Sequence, residues 1–265
     1  MRVFGAAGLS RRKALEELEK YPLTGRFLMG RLRDGMTQEH KEIVESLVGS
    51  VQTYPEPTTI LARGQLCDRS TILIEGFLMR TIEEEQKRYV VGVQVPGDFA
   101  DLHAFALKRL DHDLVTVGPA KVGFVHHTKL MQVMEEHPHL ARLLWFSTLL
   151  DAAIHREWIM KMEQLPAANR AAHVFCELWE RLDFVGLGDE ERLNTPLIQA
   201  DLADMCGTTP IHMNRALSQM RKDGLADFRR GVLEVTDRGR LMDFARFDPA
   251  YLYGDGPLSM GPNPF

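Results

Sequence analysis

From Pro138 to Leu165 no glycine or second proline interrupts the chain, and Pro166 closes the run. Such a stretch folds as one helix, spanning 139–164, of about 25 residues and roughly 37 Å. Its apolar positions Leu140, Leu143, Leu144, Leu150, Ile154 and Trp158 step mostly by three, four or seven. One small domain does not cover a rod of that length. The stripe is therefore expected to form a two-stranded coiled-coil seam, making 138–165 a dimerisation helix. The alternative is a helix packed wholly on its own neighbouring domain. In either case the helix separates two different kinds of sequence.

The part before it changes character twice. Residues 11 to about 50 repeat apolar positions at helical spacing, with Leu15, Leu18 and Tyr21 in one group and Ile43, Leu47 and Val48 in another. Thr37, followed by His40 and Glu42, reads as a helix start, so 1–38 is expected to be a helical extension. From residue 55 to about 128 the pattern becomes short β-branched or aromatic runs: Thr58–Leu61, Thr71–Ile74, Phe77–Thr81, Tyr89–Val91 and Leu114–Val117. Gly64, Gly76, Gly92, Gly97, Gly118 and Gly123 punctuate them. Many short strands with regular glycine breaks predict a small antiparallel β-roll or jelly roll over 39–137.

Beyond the long helix, 166–248 opens with a further helix carrying Val174, Phe175, Leu178, Trp179 and Leu182. A polar link over 186–191 and a compact helical pair follow. A hairpin from Leu225 to Val235 then turns near Arg230-Gly231. The glycine- and proline-rich tail, 249–265, is expected to be loose.

The helical pair carries the most chemistry. A helix-turn-helix needs a small residue where its helices touch, a glycine to turn the chain and an apolar residue inside the second helix. Ala203, Gly207 and Met213 have that spacing, and Met213 can pack against Leu202. Thr208 or Thr209 can cap the second helix, and Pro210 fits its first turn, where no N–H is missed. That helix, about 209–222, presents His212, Asn214, Arg215 and Ser218 on one side. Arg215 can fork onto guanine and Asn214 can pair with adenine. Leu217, Met220 and Leu225 face the other way as core. Arg221, Lys222 and, at the hairpin tip, Arg229 and Arg230 are placed for phosphates. Together with Thr208, Thr209 and Pro210 these form the candidate DNA-binding set.

Composition agrees once it is read locally. The whole chain has 32 basic and 37 acidic residues, a net charge of −5, which argues against a histone-like binder. From Cys206 to Arg240, however, seven basic side chains face four acidic ones. At 265 residues two domains are expected, from about 150 residues per domain. The cysteines Cys67, Cys176 and Cys206 are too few and too scattered for a disulfide framework or a metal site. The N-terminal apolar stretch is too short for a signal-peptide core, and no apolar run is long enough to span a membrane. A cytoplasmic protein is expected.

An α+β chain with a β-roll, a long dimer helix and a winged helix-turn-helix resembles the Crp–Fnr superfamily of bacterial transcription regulators. The resemblance rests on Pro96-Gly97-Asp98-Phe99-Ala100-Asp101-Leu102 in the roll, on the helix 139–164 and on Leu197–Arg221, and it covers about 40 to 245. The closing Phe247–Leu252 also looks like tails found in some members. The resemblance implies a homodimer on a near-palindromic operator in double-stranded DNA, one recognition helix per half-site, with RNA polymerase as a partner; for this chain no cofactor is expected. Members that bind cyclic AMP carry a Gly-Glu pair for the ribose and an Arg-Ser pair for the cyclic phosphate. Here Ala100-Asp101 and Leu110–Leu114 occupy those regions, and two aspartates there would repel a phosphate, so cyclic AMP is not the expected effector. An iron–sulfur cluster has no ligand set, since Cys67 is the only cysteine before Cys176. If a small-molecule effector acts, Asp101, His103 and His112 are the candidate pocket residues. His103 follows Asp101 by two and could share a strand face with it. Thiol sensing by Cys206 is weighed against its use as a small apolar filler. The alternative function is a metal-dependent cupin-like enzyme on the roll, which requires convergent histidines among His103, His112, His126 and His127. A third possibility, a cyclic-nucleotide module regulating another protein, would leave the helix-turn-helix without a task.

Overall fold

The computed structural model describes residues 6–254. Helix α1 (Ala6–Lys20) leads through a run of turns to α2 (Gln38–Leu47). Thr37 caps α2, its hydroxyl oxygen accepting the His40 N–H at 3.1 Å. The helix expected to run to about 50 stops at Leu47. Val48, Val51 and Thr53 instead enter β1 (Val48–Tyr54), whose backbone pairs with β7 (Ala120–His126). β-Branched residues beside Gly49 favour the extended chain once a partner strand is present.

The roll also contains β2 (Thr59–Leu61), β3 (Arg69–Glu75), β4 (Leu78–Glu84), β5 (Lys87–Gln94), α3 (Ala104–Leu107) and β6 (Asp113–Thr116). Two antiparallel sheets, ordered β1-β7-β3 and β2-β6-β4-β5, close on each other. Leu61, Leu73, Leu78, Leu114 and Val122 form the core between them. At Arg80 the β4–β5 register slips by one residue, a bulge opposite Val91 and Gly92.

After α4 (His127–Glu136) comes α5 (Pro138–Gln164), the long helix the sequence predicts. Its orientation corrects one expectation. Leu140, Leu143, Leu144, Leu150 and Ile154 are buried against the chain's own roll, α2 and α4 or the helix that follows, so they cannot be a seam. Trp158 is half-buried, and its indole N–H donates to Glu177 Oε2 at 2.9 Å. A second stripe faces outward: Trp145, Leu149 and Ile159 are 63%, 50% and 71% exposed. Helical period cannot tell which of two apolar stripes is covered by the same chain.

Helix α6 (Ala167–Phe184) is the centre of the C-terminal part, with Phe175 and Trp179 fully buried. Around it lie β8 (Arg192–Asn194), α7 (Gln199–Met205), α8 (Pro210–Lys222), β9 (Asp227–Arg229), β10 (Val232–Glu234) and α9 (Arg238–Ala245). The hairpin read from the sequence is one strand short of the real sheet, which runs β8-β10-β9. β8 follows directly on the polar link and, at three residues, is too brief to register in the sequence. Residues 249–252, expected to be part of a loose tail, form a 3-10 turn that buries Leu252. Residues 255–265 of that tail lie outside the described residues.

A shared apolar core and several polar contacts join the two halves. Arg181 of α6 reaches into the roll, donating to Val93 O at 2.8 Å and Asp98 Oδ2 at 2.6 Å while also holding Glu177 Oε1 at 3.1 Å. Arg88 of β5 grips α7 through Asp201 Oδ1 at 2.6 Å and Asp204 Oδ2 at 2.8 Å. The turns after α1 lie across the junction like a strap. Arg26 Nε donates to Val185 O at 3.2 Å, and Arg31 Nε donates to Leu252 O at 2.8 Å.

His173 of α6 is buried beside Phe247, with Nε2 3.2 Å from the Tyr251 hydroxyl. Burial pushes its pKa down to about 3, with Lys161 adding to the effect. The folded pKa lies below the unfolded value of about 6.5, so this contribution is complete above about pH 6.5 and is lost as pH falls toward 3. Between about pH 7 and about pH 5 the loss from this residue is expected to be about 2 kcal/mol. Urea unfolding at both pH values should show a smaller difference for His173→Asn than for the wild type. An equal difference would remove His173 from the account.

Candidate nucleic-acid interface

The helical pair is built as its spacing requires. α7 ends at Met205, and Gly207 takes φ +56° at the turn. That left-handed backbone is what favours glycine here; the neighbouring Met162 methyl, at the end of α5, packs over the turn. The Thr208 N–H donates to Ala203 O at 2.9 Å, and Thr209 caps α8 by accepting the His212 N–H at 3.3 Å. Pro210 occupies the first turn. Leu202, Ala203, Met213, Ala216 and Met220 are buried in one core, which fixes α8 against α7 and α6.

The opposite side of α8 is free. Thr209, Pro210, His212, Asn214, Arg215, Arg221 and Lys222 are exposed, while Thr208 and Ser218 are half-buried. The Asn214 amide donates to Gln199 Oε1 at 3.2 Å, and Gln199 Nε2 donates to Pro210 O at 3.0 Å. Gln199, at the start of α7, thus orients a candidate base reader. It was missed in the sequence because the pairing spans 15 residues. Ile211 was missed too: it is 67% exposed one helical turn before Arg215.

The wing is a two-residue turn, with Arg230 at φ 50° and Gly231 at φ 82° between paired Arg229 and Val232. Positive φ at both positions suits the right-handed twist of a hairpin. A Cβ at Gly231 would lie 2.1 Å from Thr195 O, so only glycine fits. Arg229 pairs with Asp227 at 2.9 Å, and Arg221 lies 3.8 Å from the same carboxylate. Arg230 stands exposed at the tip.

The candidate effector residues are arranged differently from the sequence expectation. Residues 101–103 form a turn into α3, so Asp101 and His103 share no strand face. Asp101 is buried, with Oδ2 accepting the Thr71 hydroxyl at 3.0 Å and Oδ1 accepting the Thr71 N–H at 2.5 Å. Burial pushes its pKa up to about 6, against the opposing Thr71 bonds. Its carboxylate braces the roll, with both oxygens taken up by Thr71. The His103 and His112 rings do meet, with centroids 5.4 Å apart. Burial pushes His103 down to about 4, helped by the Arg80 charge and His112, and His112 Nδ1 lies 2.8 Å from Asp111 Oδ1. Arg80 donates to Ala100 O and pairs with Asp151 of α5, while His155 Nε2 lies 2.8 Å from Val91 O. This polar layer connects the roll to α5.

Cys206 is fully buried, and burial pushes its thiol up to about 12, as for Cys176, so neither supplies a thiolate at neutral pH. Of the four histidines a cupin-like site would draw on, His126 is exposed at the end of β7 and His127 is buried against Phe105. Among the described residues no three His, Cys, Asp or Glu side chains are placed to hold a metal ion. None of the described helices is long and apolar enough to cross a membrane.

A β-roll followed by a long helix and a winged helix-turn-helix with an open recognition face defines a DNA-binding transcription regulator. The chain matches, over residues 169–244, the family model described as the Crp-like helix-turn-helix domain. It is 24% identical over 205 residues to the transcriptional activator protein FnrL of Cereibacter sphaeroides, covering 74% of this chain and 81% of that protein. Its fold is similar to that of FixK2 from Bradyrhizobium japonicum, with a TM-score of 0.67 and 19% identity over 74% of this chain and 96% of that one. It is also similar to CLP from Xanthomonas campestris, described as a c-di-GMP responsive global regulator, with a TM-score of 0.61 and 14% identity over 76% of this chain and all (100%) of that one.

Proposed function

We propose that this regulator acts in the cytoplasm as a homodimer on a near-palindromic operator in double-stranded DNA. One α8 enters the major groove of each half-site, about 34 Å apart. The observation that carries the reading is the exposed face of α8, with Arg215 unpaired among the described residues above a fully buried helix-turn-helix core. Arg221, Lys222, Arg229 and Arg230 would neutralise phosphates, the two arginines held near Asp227 exchanging that partner for DNA. Dimerisation is assigned to the outward stripe Trp145, Leu149 and Ile159. These positions step by four and then ten, with Ala152 and Arg156 completing an alternating spacing of four and three. RNA polymerase is the partner expected of a transcription regulator. An effector, if one acts, binds differently to two dimer states, and the Arg80–Asp151 pair gives the roll a route to α5.

Selection of bound duplexes from random DNA tests the reading and supplies the operator. On that operator, Arg215→Ala is expected to cost about 1–3 kcal/mol and to relax specificity at one guanine. Unchanged affinity in a footprinting titration would remove Arg215 from the contact set.

A further inference from the structure

We propose that Ile211 is a specificity-determining residue that reads the methyl group of a thymine within two base pairs of the guanine contacted by Arg215. The proposal rests on the DNA-binding reading above and adds to it a base that the polar side chains do not account for.

Ile211 lies two residues before Met213, which is buried in the helix-turn-helix core. Two residues are about 200° around a helix, so Ile211 points away from the core and shares the outer face with Arg215, one turn further on. It is 67% exposed, whereas the other apolar residues of α8 are buried or half-buried. A β-branched aliphatic this exposed on a helix adds little to the fold, and it is poorer than alanine for helix stability.

Its position is also held firmly. Thr209 caps α8, Pro210 sets the first turn, and Gln199 Nε2 holds the Pro210 carbonyl at 3.0 Å. A β-branched side chain in a helix keeps essentially one χ1 rotamer, so Ile211 loses little entropy on contact. The first turn of a recognition helix is the part that reaches base edges. In the major groove, thymine C5-methyl is the apolar group available to an aliphatic side chain. Four residues of helix advance about 6 Å, close to two base-pair steps of about 3.4 Å, which sets the separation from the Arg215 guanine.

The test replaces each thymine of the selected operator by deoxyuridine, which removes only the methyl group, and measures affinity by fluorescence anisotropy. For the wild type, one thymine per half-site is expected to be sensitive, losing about fourfold in one half-site and about fifteenfold in both. Ile211→Ala should bind the thymine and deoxyuridine operators equally. Because Ile211 is exposed, that variant should keep the wild-type salt-dependent binding to unrelated DNA, which serves as the check that it is folded. Operator binding with no methyl-sensitive step, or the same sensitivity in Ile211→Ala, overturns the assignment while leaving the DNA-binding reading intact. Failure of the wild type to select any duplex overturns both.

Discussion

Ile159→Glu is expected to yield a folded monomer whose operator affinity has fallen by about a hundredfold or more. Ile159 is 71% exposed on α5, so a glutamate there costs the isolated chain almost nothing. Across a twofold axis the same change sets two carboxylates against each other in an apolar seam and removes the buried aliphatic contact. A dimer gains from its second half-site through high effective concentration, a factor of about 10²–10⁴ that a monomer forfeits. Sedimentation and operator titration on one preparation measure both effects. The contrast is Leu150→Glu, whose side chain is buried against the protein's own core and which should unfold the chain rather than separate subunits. A stable dimer in Ile159→Glu would place the subunit contact elsewhere.

Arg181→Ala is expected to destabilise the fold by about 3–5 kcal/mol, because it strands buried charge. Arg181 is 3% exposed, and its partner Glu177 is 1% exposed. Without the guanidinium, Glu177 keeps, among the described residues, the Trp158 indole and the Tyr251 hydroxyl as donors, while Asp98 keeps the Val95 N–H. Removing one charge of such a pair costs more than replacing the pair with neutral groups. The double variant Arg181→Met with Glu177→Gln should therefore recover part of the loss. Urea unfolding of the three proteins measures it. A loss below about 1 kcal/mol in Arg181→Ala would mean that solvent screens this junction.

The residues that could be read from sequence are those whose role is set by neighbours a few positions away. Ala203, Gly207, Thr209, Pro210 and Met213 have the spacing of a helix-turn-helix, and the polar face of the second helix turns that spacing into a reading. Arg230-Gly231 announces a wing turn, and Pro138 and Pro166 bracket α5. What failed to register depends on distant partners. Leu150 and Ile154 looked like a subunit seam because nothing in their period reveals the roll and α6 beside them. The Thr71 partner of Asp101 lies 30 residues away, so the bonding of that carboxylate was not legible. Gln199 and Arg88 acquire meaning only when α7 is seen against α8 and against β5.

The strap over the junction has a consequence for the order in which the chain is assembled. Arg31 finds its carbonyl at Leu252, 221 residues later, and Arg26 finds Val185, 159 residues later. Contacts this far apart in sequence are formed only after a long closure, which makes them late steps in folding. During synthesis from the N-terminus, the roll can close while residues 21–36 still lack their partners. The strap then docks after α6 and the turn at 249–252 have emerged. The strap can therefore seat only once the carbonyls of Val185 and Leu252, at two distant points of the chain, have been brought together.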